Sequence, residues 1–193
     1  MKTRTLFLLA GLATLATGCG QDAASKKLTD DTEARVVASI KQVLVQAPAQ
    51  TDALGPVHTW YQSSEVPNII KLDPNAAKVY EDHAALLQEV ATTQPKLVQQ
   101  PILTADQAQS IRGKYQKLVD ESTGNVSQLT NLASSKTTMS EAEQRKFVAD
   151  LAGKENHQLQ LVQYYGKRTQ AAIDQKVQQE KHHEYNRKVW GIE

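Results

Sequence analysis

The chain is poor in cysteine, with a single one, and in aromatic residues, which make up 5% of its 193 residues. Strand signals are nearly absent, because no segment shows sustained alternation of apolar and polar residues, whereas helix-favouring Gln, Lys, Ala and Glu are frequent. The 22 lysines and arginines almost balance the 21 acidic residues, so no overall charge attracts nucleic acid. These features predict an all-α protein that does not bind nucleic acid.

Motifs of common enzymes are also missing. The sequence has no G-x-S-x-G elbow, H-E-x-x-H helix, phosphate-binding glycine loop or dinucleotide fingerprint. Adjacent carboxylates such as Glu81 and Asp82 point about 100° apart on a helix and make a poor acid–base pair. We therefore expect no catalytic residues and no cofactor. A small enzyme or ligand carrier remains an alternative, since catalytic groups can assemble from distant parts of a chain.

The pair His182 and His183, flanked by Glu180 and Glu184, is the densest group of potential metal ligands. Adjacent residues of a helix point about 100° apart, so the two imidazoles do not face one ion. Zinc sites use ligands three or four residues apart on a helix and further ligands that converge on the ion. We expect no metal site.

The N-terminus carries the clearest functional pattern. Lys2 and Arg4 precede an apolar stretch from Leu6 to Leu15, and Leu15-Ala16-Thr17-Gly18 leads directly into Cys19. The apolar stretch is shorter than the roughly twenty residues that cross a bilayer, and it is typical of a secretory signal. The arrangement resembles the lipobox of bacterial lipoproteins, which are cleaved before the cysteine and then acylated on it.

This resemblance implies cleavage between Gly18 and Cys19, followed by a diacylglyceryl thioether and an N-acyl chain on Cys19. In Gram-negative lipoproteins an aspartate after the cysteine usually retains the protein at the inner membrane. Because Gly20 stands there, the resemblance implies an outer-membrane lipoprotein whose domain lies in the periplasm. We expect a signal peptide at 1–18, the lipidated cysteine and a flexible tether at 19–29, and one helical domain at 30–193.

Capping patterns predict where the helices begin. The predicted starts are Asp30 or Asp31, Asp73 with Pro74, Thr104 with Gln107, and Ser140 with Glu143. Pro48 should end the first helix, and Pro95 and Pro101 should bracket a loop. The last two helices are expected to run from about 105 to 133 and from about 141 to 188.

The last two helices carry apolar seams with spacings of three and four, the repeat of a supercoiled pair. An antiparallel hairpin with its turn near Ser140 pairs Leu129 with Val148, Val126 with Leu151, Leu118 with Leu159, Tyr115 with Val162 and Ala108 with Thr169. It also places Ser122 opposite Glu155 as a polar layer within the seam. Gly124 falls level with Gly153, and Gly113 lies near Gly166. Such pairs permit close backbone approach or a bend shared by both helices, and independent, tolerated glycines are the alternative. We predict a bundle of about four helices built on this hairpin.

Charge is distributed unevenly along the chain. Acidic residues outnumber basic ones between 28 and 93, and the reverse holds between 167 and 188. Two explanations are open: solvated helix faces, or docking of the acidic early helices on the basic last helix.

Trp60 and Tyr61 lie in the least regular part of the chain, near Gly55-Pro56 and Pro67. Exposed aromatic residues on a loop are common anchors for a partner, whereas buried ones would pack over the helix pair.

We expect a membrane-anchored, non-enzymatic module that binds an envelope protein or supports an assembly. An inhibitor, or an immunity or exclusion-type lipoprotein, is the alternative.

Overall fold

The computed structural model describes residues 18–46, 53–134 and 138–191, and these residues form helices with no strand. The predicted all-α class is therefore confirmed. The α-helices are α1 (Gly18–Val43), α2 (Leu54–Gln62), α3 (Asn68–Lys71), α4 (Pro74–Val98), α5 (Ala105–Ser134) and α6 (Glu141–Trp190), and a 3₁₀ turn (Leu44–Gln46) follows α1.

Helix α1 begins at Gly18, so the predicted start at Asp30 or Asp31 is wrong. The residues expected to form a tether are helical, and contacts begin well before Asp30. Thr29 is buried and its hydroxyl donates to the carbonyl of Ser25, 3.0 Å away, while Asn68 donates to the Ser25 hydroxyl at 2.9 Å. Small and polar residues can continue a helix that has tertiary contacts, which composition does not reveal. Where the folded domain begins stays a prediction.

Helix α4 begins as predicted, because the Asp73 side chain accepts a hydrogen bond from the backbone N–H of Asn75 and Pro74 occupies the first turn. Its end differs, since Pro95 lies inside the helix, which continues to Val98. Proline lacks an N–H and disturbs the preceding turn, but the neighbouring Leu97 is almost completely buried. Packing of Leu97 thus holds the last turn, and the predicted loop begins later.

Helices α5 and α6 have the predicted N-terminal caps. The Thr104 hydroxyl accepts from the N–H of Gln107 at 3.2 Å, and the Gln107 side chain accepts from the N–H of Thr104 at 3.1 Å. Ser140 and Glu143 form the same reciprocal pair. Helix α6 ends at Gly191, whose φ of 59° is the left-handed conformation that glycine adopts without strain.

Helix α4 occupies the centre of the packing, where it contacts α6, α5 and α1, while α2 packs against α1 and α5. Each helix contributes an apolar stripe, and full burial of one aliphatic or aromatic side chain contributes about 1.5–3 kcal/mol. The largest side chains in this core are Trp60, Tyr80, Tyr115, Ile40, Ile70, Leu86, Leu97, Leu129 and Leu151. The core therefore links the early helices to the last two.

The glycines of α5 and α6 differ in their surroundings. A Cβ atom added at Gly113, Gly124 or Gly153 would meet nothing within 4 Å. At Gly166 it would lie 2.9 Å from the Tyr115 hydroxyl and 3.2 Å from Cγ2 of Thr93. The possibility of close backbone approach at the glycine pairs is therefore not found: the other three glycines have open surroundings, and only side chains of α5 and α4 come close to Gly166.

Tyr115 fits tightly against this position. Its ring packs edge to face on Tyr165, with ring centroids 5.2 Å apart, and its side chain is fully buried. Burial, with help from the negative charge of Glu89, raises the pKa of Tyr115 to about 12. The phenol is therefore a neutral, well-packed group that fills the space left by the missing Gly166 side chain.

The acidic early helices make no ion pair with the basic segment of α6 in the parts of the chain that the structure describes. Lys167 and Arg168 are exposed, and Lys176 donates to the carbonyl of Ile102 at 2.8 Å. Solvated helix faces thus account for the uneven charge better than internal docking.

Candidate functional site

The proposed lipidation site lies at the very start of the described chain. Residues 1–17 lie outside the described residues, and Gly18 and Cys19 form the first turn of α1. Within the described ranges, no helix is long and apolar enough to cross a bilayer. Cleavage and acylation at Cys19 stay predictions.

Trp60 and Tyr61 are not exposed anchors. They lie on α2, where Trp60 is 0% and Tyr61 3% exposed. Burial, followed by the negative charges of Glu81 and Glu33, raises the pKa of Tyr61 to about 12. Of the two possibilities that the sequence left open, burial over the helix pair describes both side chains, and exposed anchors on a loop do not. The sequence could not distinguish the two, because a short aromatic helix is compatible with either.

Polar side chains lie next to the buried pair Trp60 and Tyr61. His58 Nδ1 lies 2.6 Å from a Glu33 carboxylate oxygen, and the Gln62 side chain donates to the same oxygen at 3.4 Å. Nearby, the ammonium of Lys71 donates to the carbonyl of Ser63. Burial lowers the pKa of Lys71, and the charges of Asp30 and Glu33 partly oppose that shift. These contacts tie α1, α2 and α3 together.

The most concentrated chemistry is a buried polar layer that joins α4, α5 and α6. It consists of His83, Ser122, Asn125 and Glu155, and Glu155 is 0% exposed. Ser122 donates to one Glu155 carboxylate oxygen, and Asn125 donates to the other at 2.9 Å. His83 Nδ1 lies 2.6 Å from the Ser122 hydroxyl and 3.6 Å from the carboxylate. We call this group the polar layer.

The order of donors within the polar layer follows from these contacts. The Ser122 hydroxyl, which donates to Glu155, can accept a hydrogen bond from His83 in the tautomer that carries its proton on Nδ1. The predicted contact between Ser122 and Glu155 is confirmed. The participation of His83 and Asn125 was not predicted. His83 belongs to α4, which the pairing of α5 with α6 leaves out, and Asn125 is not one of the seam positions of α5.

Serine, histidine and glutamate together invite comparison with a catalytic triad. In a triad the acid and the nucleophile contact opposite nitrogens of the imidazole. Here Ser122 and Glu155 both lie near Nδ1 of His83, and the serine hydroxyl is buried. The backbone N–H groups around them belong to helices and form intrahelical bonds, which leaves no donors for an oxyanion. The arrangement matches a structural hydrogen-bond chain.

A second feature is the end of α6, residues 178–190, which we call the α6 tip. It extends past the start of α5, and all of its residues are exposed except the half-buried Asn186. Tyr185, Val189 and Trp190 are apolar yet exposed, Trp190 by 71%. Viewed down the helix axis, with about 100° between successive residues, the charged side chains of the tip lie within about 60° of Glu184. The opposite side of the helix carries no acidic residue, lysine or arginine.

An open groove lies beside the tip. It has a volume of about 360 Å³ and is lined by Pro101, Ile102, Val177, Glu180, Lys181, Glu184 and Arg187. His182 and His183 are exposed, and no group of three or more metal-ligating side chains occurs in the described part of the chain. The tip therefore offers aromatic and charged surface for contact with another molecule.

No protein-family model, no curated protein and no solved structure matches the chain. Two features of the chain itself point to a function: the cysteine motif at the N-terminus and the exposed end of α6.

Proposed function

We propose that the protein is an outer-membrane lipoprotein, anchored through acyl chains on Cys19, whose helical domain binds another envelope protein and catalyses no reaction. The cysteine motif supports the anchor, since several acyl chains hold a protein far more firmly than the marginal binding of one. Gly20 after the cysteine supports the outer membrane, and the domain is then expected in the periplasm.

We further propose that the domain is a bundle of about four helices built on an antiparallel hairpin of α5 and α6. The side-chain contacts between these helices support this arrangement. Asn125 contacts Glu155, Glu121 contacts Gln158, and Tyr115 contacts Tyr165, so positions in α6 rise as positions in α5 fall.

The observation that carries the binding function is the α6 tip. Soluble proteins rarely leave several large apolar side chains exposed together unless another molecule covers them. Tyrosine and tryptophan contribute most to protein interfaces, and a single helix is a common element for docking. The tip offers both aromatic types as exposed side chains, Tyr185 by 63% and Trp190 by 71%.

The position of the tip fits an anchored protein. Near the other end of the long helices, Ser63 donates to the carbonyl of Ala133 at the end of α5, and Asn68 contacts Ser25 of α1. An anchor on Cys19 would thus hold the α1 end close to the membrane. The tip would then point away from it, towards partners in the periplasm.

The anchor is tested by expressing the full chain in a Gram-negative host. We expect the mature protein to begin at acylated Cys19, to fractionate with outer membranes, and to lose both properties in Cys19→Ser. Mass spectrometry that finds a mature protein with an unmodified Cys19 thiol would refute the anchor.

Partner binding is tested separately with a photo-crosslinking phenylalanine analogue at Tyr185 of the full chain, in the native host. We expect one crosslinked protein of defined mass, which Trp190→Ala reduces. The same analogue at the exposed Lys154, elsewhere on α6, serves as the matched control. Equal crosslinking from both positions, or none from Tyr185, would contradict the proposed role of the tip.

A further inference from the structure

The three helices that meet at the polar layer, α4, α5 and α6, each interrupt their apolar stripe at the same height. In α4 His83 lies between Val79 and Leu86, in α5 Ser122 lies between Leu118 and Val126, and in α6 Glu155 lies between Leu151 and Val162. All of these flanking apolar residues are buried. The polar layer is thus enclosed by apolar layers on both sides.

Apolar layers alone define the pairing of helices weakly. A seam that repeats every seven residues places apolar side chains against apolar side chains again when one helix slides by seven residues. Shifts of this kind change the packing but leave no buried polar group without a hydrogen-bond partner. Apart from the close fit of Tyr115 against Gly166, the apolar stripes of α5 and α6 therefore distinguish shifted registers only weakly.

The polar layer responds differently to such a shift. Sliding α5 along α6 by seven residues would bring Glu155 opposite Tyr115 or Leu129, and Ser122 opposite Val148 or Val162. The buried carboxylate would lose its donors Ser122 and Asn125, and an unpaired buried charge is far costlier than altered packing. His83 would lose the Ser122 hydroxyl at the same time, so α4 is tied to the same register.

We propose that the polar layer fixes the register of α4, α5 and α6, and that it does so at a cost in stability. A buried carboxylate is expensive to desolvate even when it is fully hydrogen-bonded, and apolar replacements of such groups are often neutral or stabilising. The layer thus excludes shifted pairings more than it strengthens the correct one. A fixed register also sets how far the α6 tip extends past the start of α5.

The experiment replaces the whole layer in the full chain with His83→Leu, Ser122→Ala, Asn125→Leu and Glu155→Leu. Register is read from disulfide formation between cysteines introduced in pairs on α5 and α6. Glu121→Cys with Gln158→Cys reports the observed register, because Nε2 of Gln158 lies 2.9 Å from Oε2 of Glu121 and the two positions therefore face each other across α5 and α6. Lys114→Cys or Gln128→Cys, each with Gln158→Cys, reports a shift by seven residues in either direction.

In the parent protein we expect only the Glu121–Gln158 pair to form a disulfide. In the four-site variant we expect one of the shifted pairs to form as well, with an equal or higher urea midpoint of unfolding. Mass spectrometry of the linked peptides distinguishes these disulfides from any bond to Cys19. Leu118→Ala is the matched control, since it destabilises the core while leaving the polar layer intact, and it should keep the single register.

A folded four-site variant that forms only the Glu121–Gln158 disulfide would overturn the proposal. So would shifted disulfides in Leu118→Ala, because they would show that lower stability alone releases the register. If the four-site variant does not fold, Ser122→Ala with Glu155→Leu decides by the same criterion. His83 and Asn125 lie at the rim of the layer, where slight exposure lets them reach water.

Discussion

Alanine at Gly166 should destabilise the protein, whereas alanine at Gly153 should stabilise it. Both glycines lie inside α6, where glycine is less favourable than alanine by about 0.5–1 kcal/mol. A Cβ at Gly153 would meet nothing within 4 Å, so this gain should appear in full. A Cβ at Gly166 would lie 2.9 Å from the Tyr115 hydroxyl, closer than van der Waals contact allows.

The size of the effect follows from how little Tyr115 can move. Its ring is fully buried and packs against Tyr165, so the hydroxyl moves only if the ring or α5 moves with it. Forcing an extra methyl group into a packed core costs about 1–3 kcal/mol. Gly166→Ala should therefore unfold with a free energy about 1–3 kcal/mol lower than Gly153→Ala.

Urea denaturation followed by the helical circular dichroism signal measures this difference. Tyr115→Phe removes the nearest atom, so adding it to Gly166→Ala should recover part of the loss, and the double-mutant cycle should show coupling. If Gly166→Ala proves as stable as Gly153→Ala, the close packing at this position is wrong. Gly113→Ala is a second control, because its surroundings are equally open.

Three further predictions concern individual side chains. Trp60→Ala should lower the free energy of unfolding by about 3–5 kcal/mol, because it empties a fully buried site, while Trp190→Ala should change it by less than about 0.5 kcal/mol in urea titrations. Iodide should quench the fluorescence of Trp190 and leave that of Trp60 almost unchanged, so Trp190→Phe should abolish most of the quenching. Hydrogen bonds from Ser140 lower the pKa of Glu143 in the folded protein. They therefore stabilise the fold at pH values above the pKa of Glu143 in the unfolded chain, and this stabilisation is lost as the pH falls through its pKa in the folded protein. Ser140→Ala should raise the pKa of Glu143 in an NMR titration and reduce the loss of stability in acid, and an unchanged pKa would contradict the observed cap.

Local signals in the sequence were sufficient to predict the starts of α4, α5 and α6. Asp73, Thr104 and Ser140 each bond to a backbone N–H two or three residues away, so the information lies within one turn. The contact between Ser122 and Glu155 was also predictable, because it needs only two helices and a turn of known position.

The wrong predictions share a dependence on distant residues. Gly20 to Lys27 has the composition of a tether, yet α1 runs through it and contacts Asn68. Pro95 usually ends a helix, but the burial of Leu97 keeps the last turn of α4 in place. Nothing near Trp60 in sequence shows whether another helix covers it. In each case the outcome depends on tertiary burial or contact, which the local sequence does not reveal.

The length of α6, 50 residues, has a consequence for the order of its tip. A free peptide as short as the tip would be a marginal helix in water, because closing the first turn costs more entropy than one hydrogen bond returns. In α6 the packed residues upstream supply that nucleus, and the tip only extends it. Fraying should therefore start at Gly191 and proceed inwards, with amide hydrogens exchanging faster towards the end of the helix.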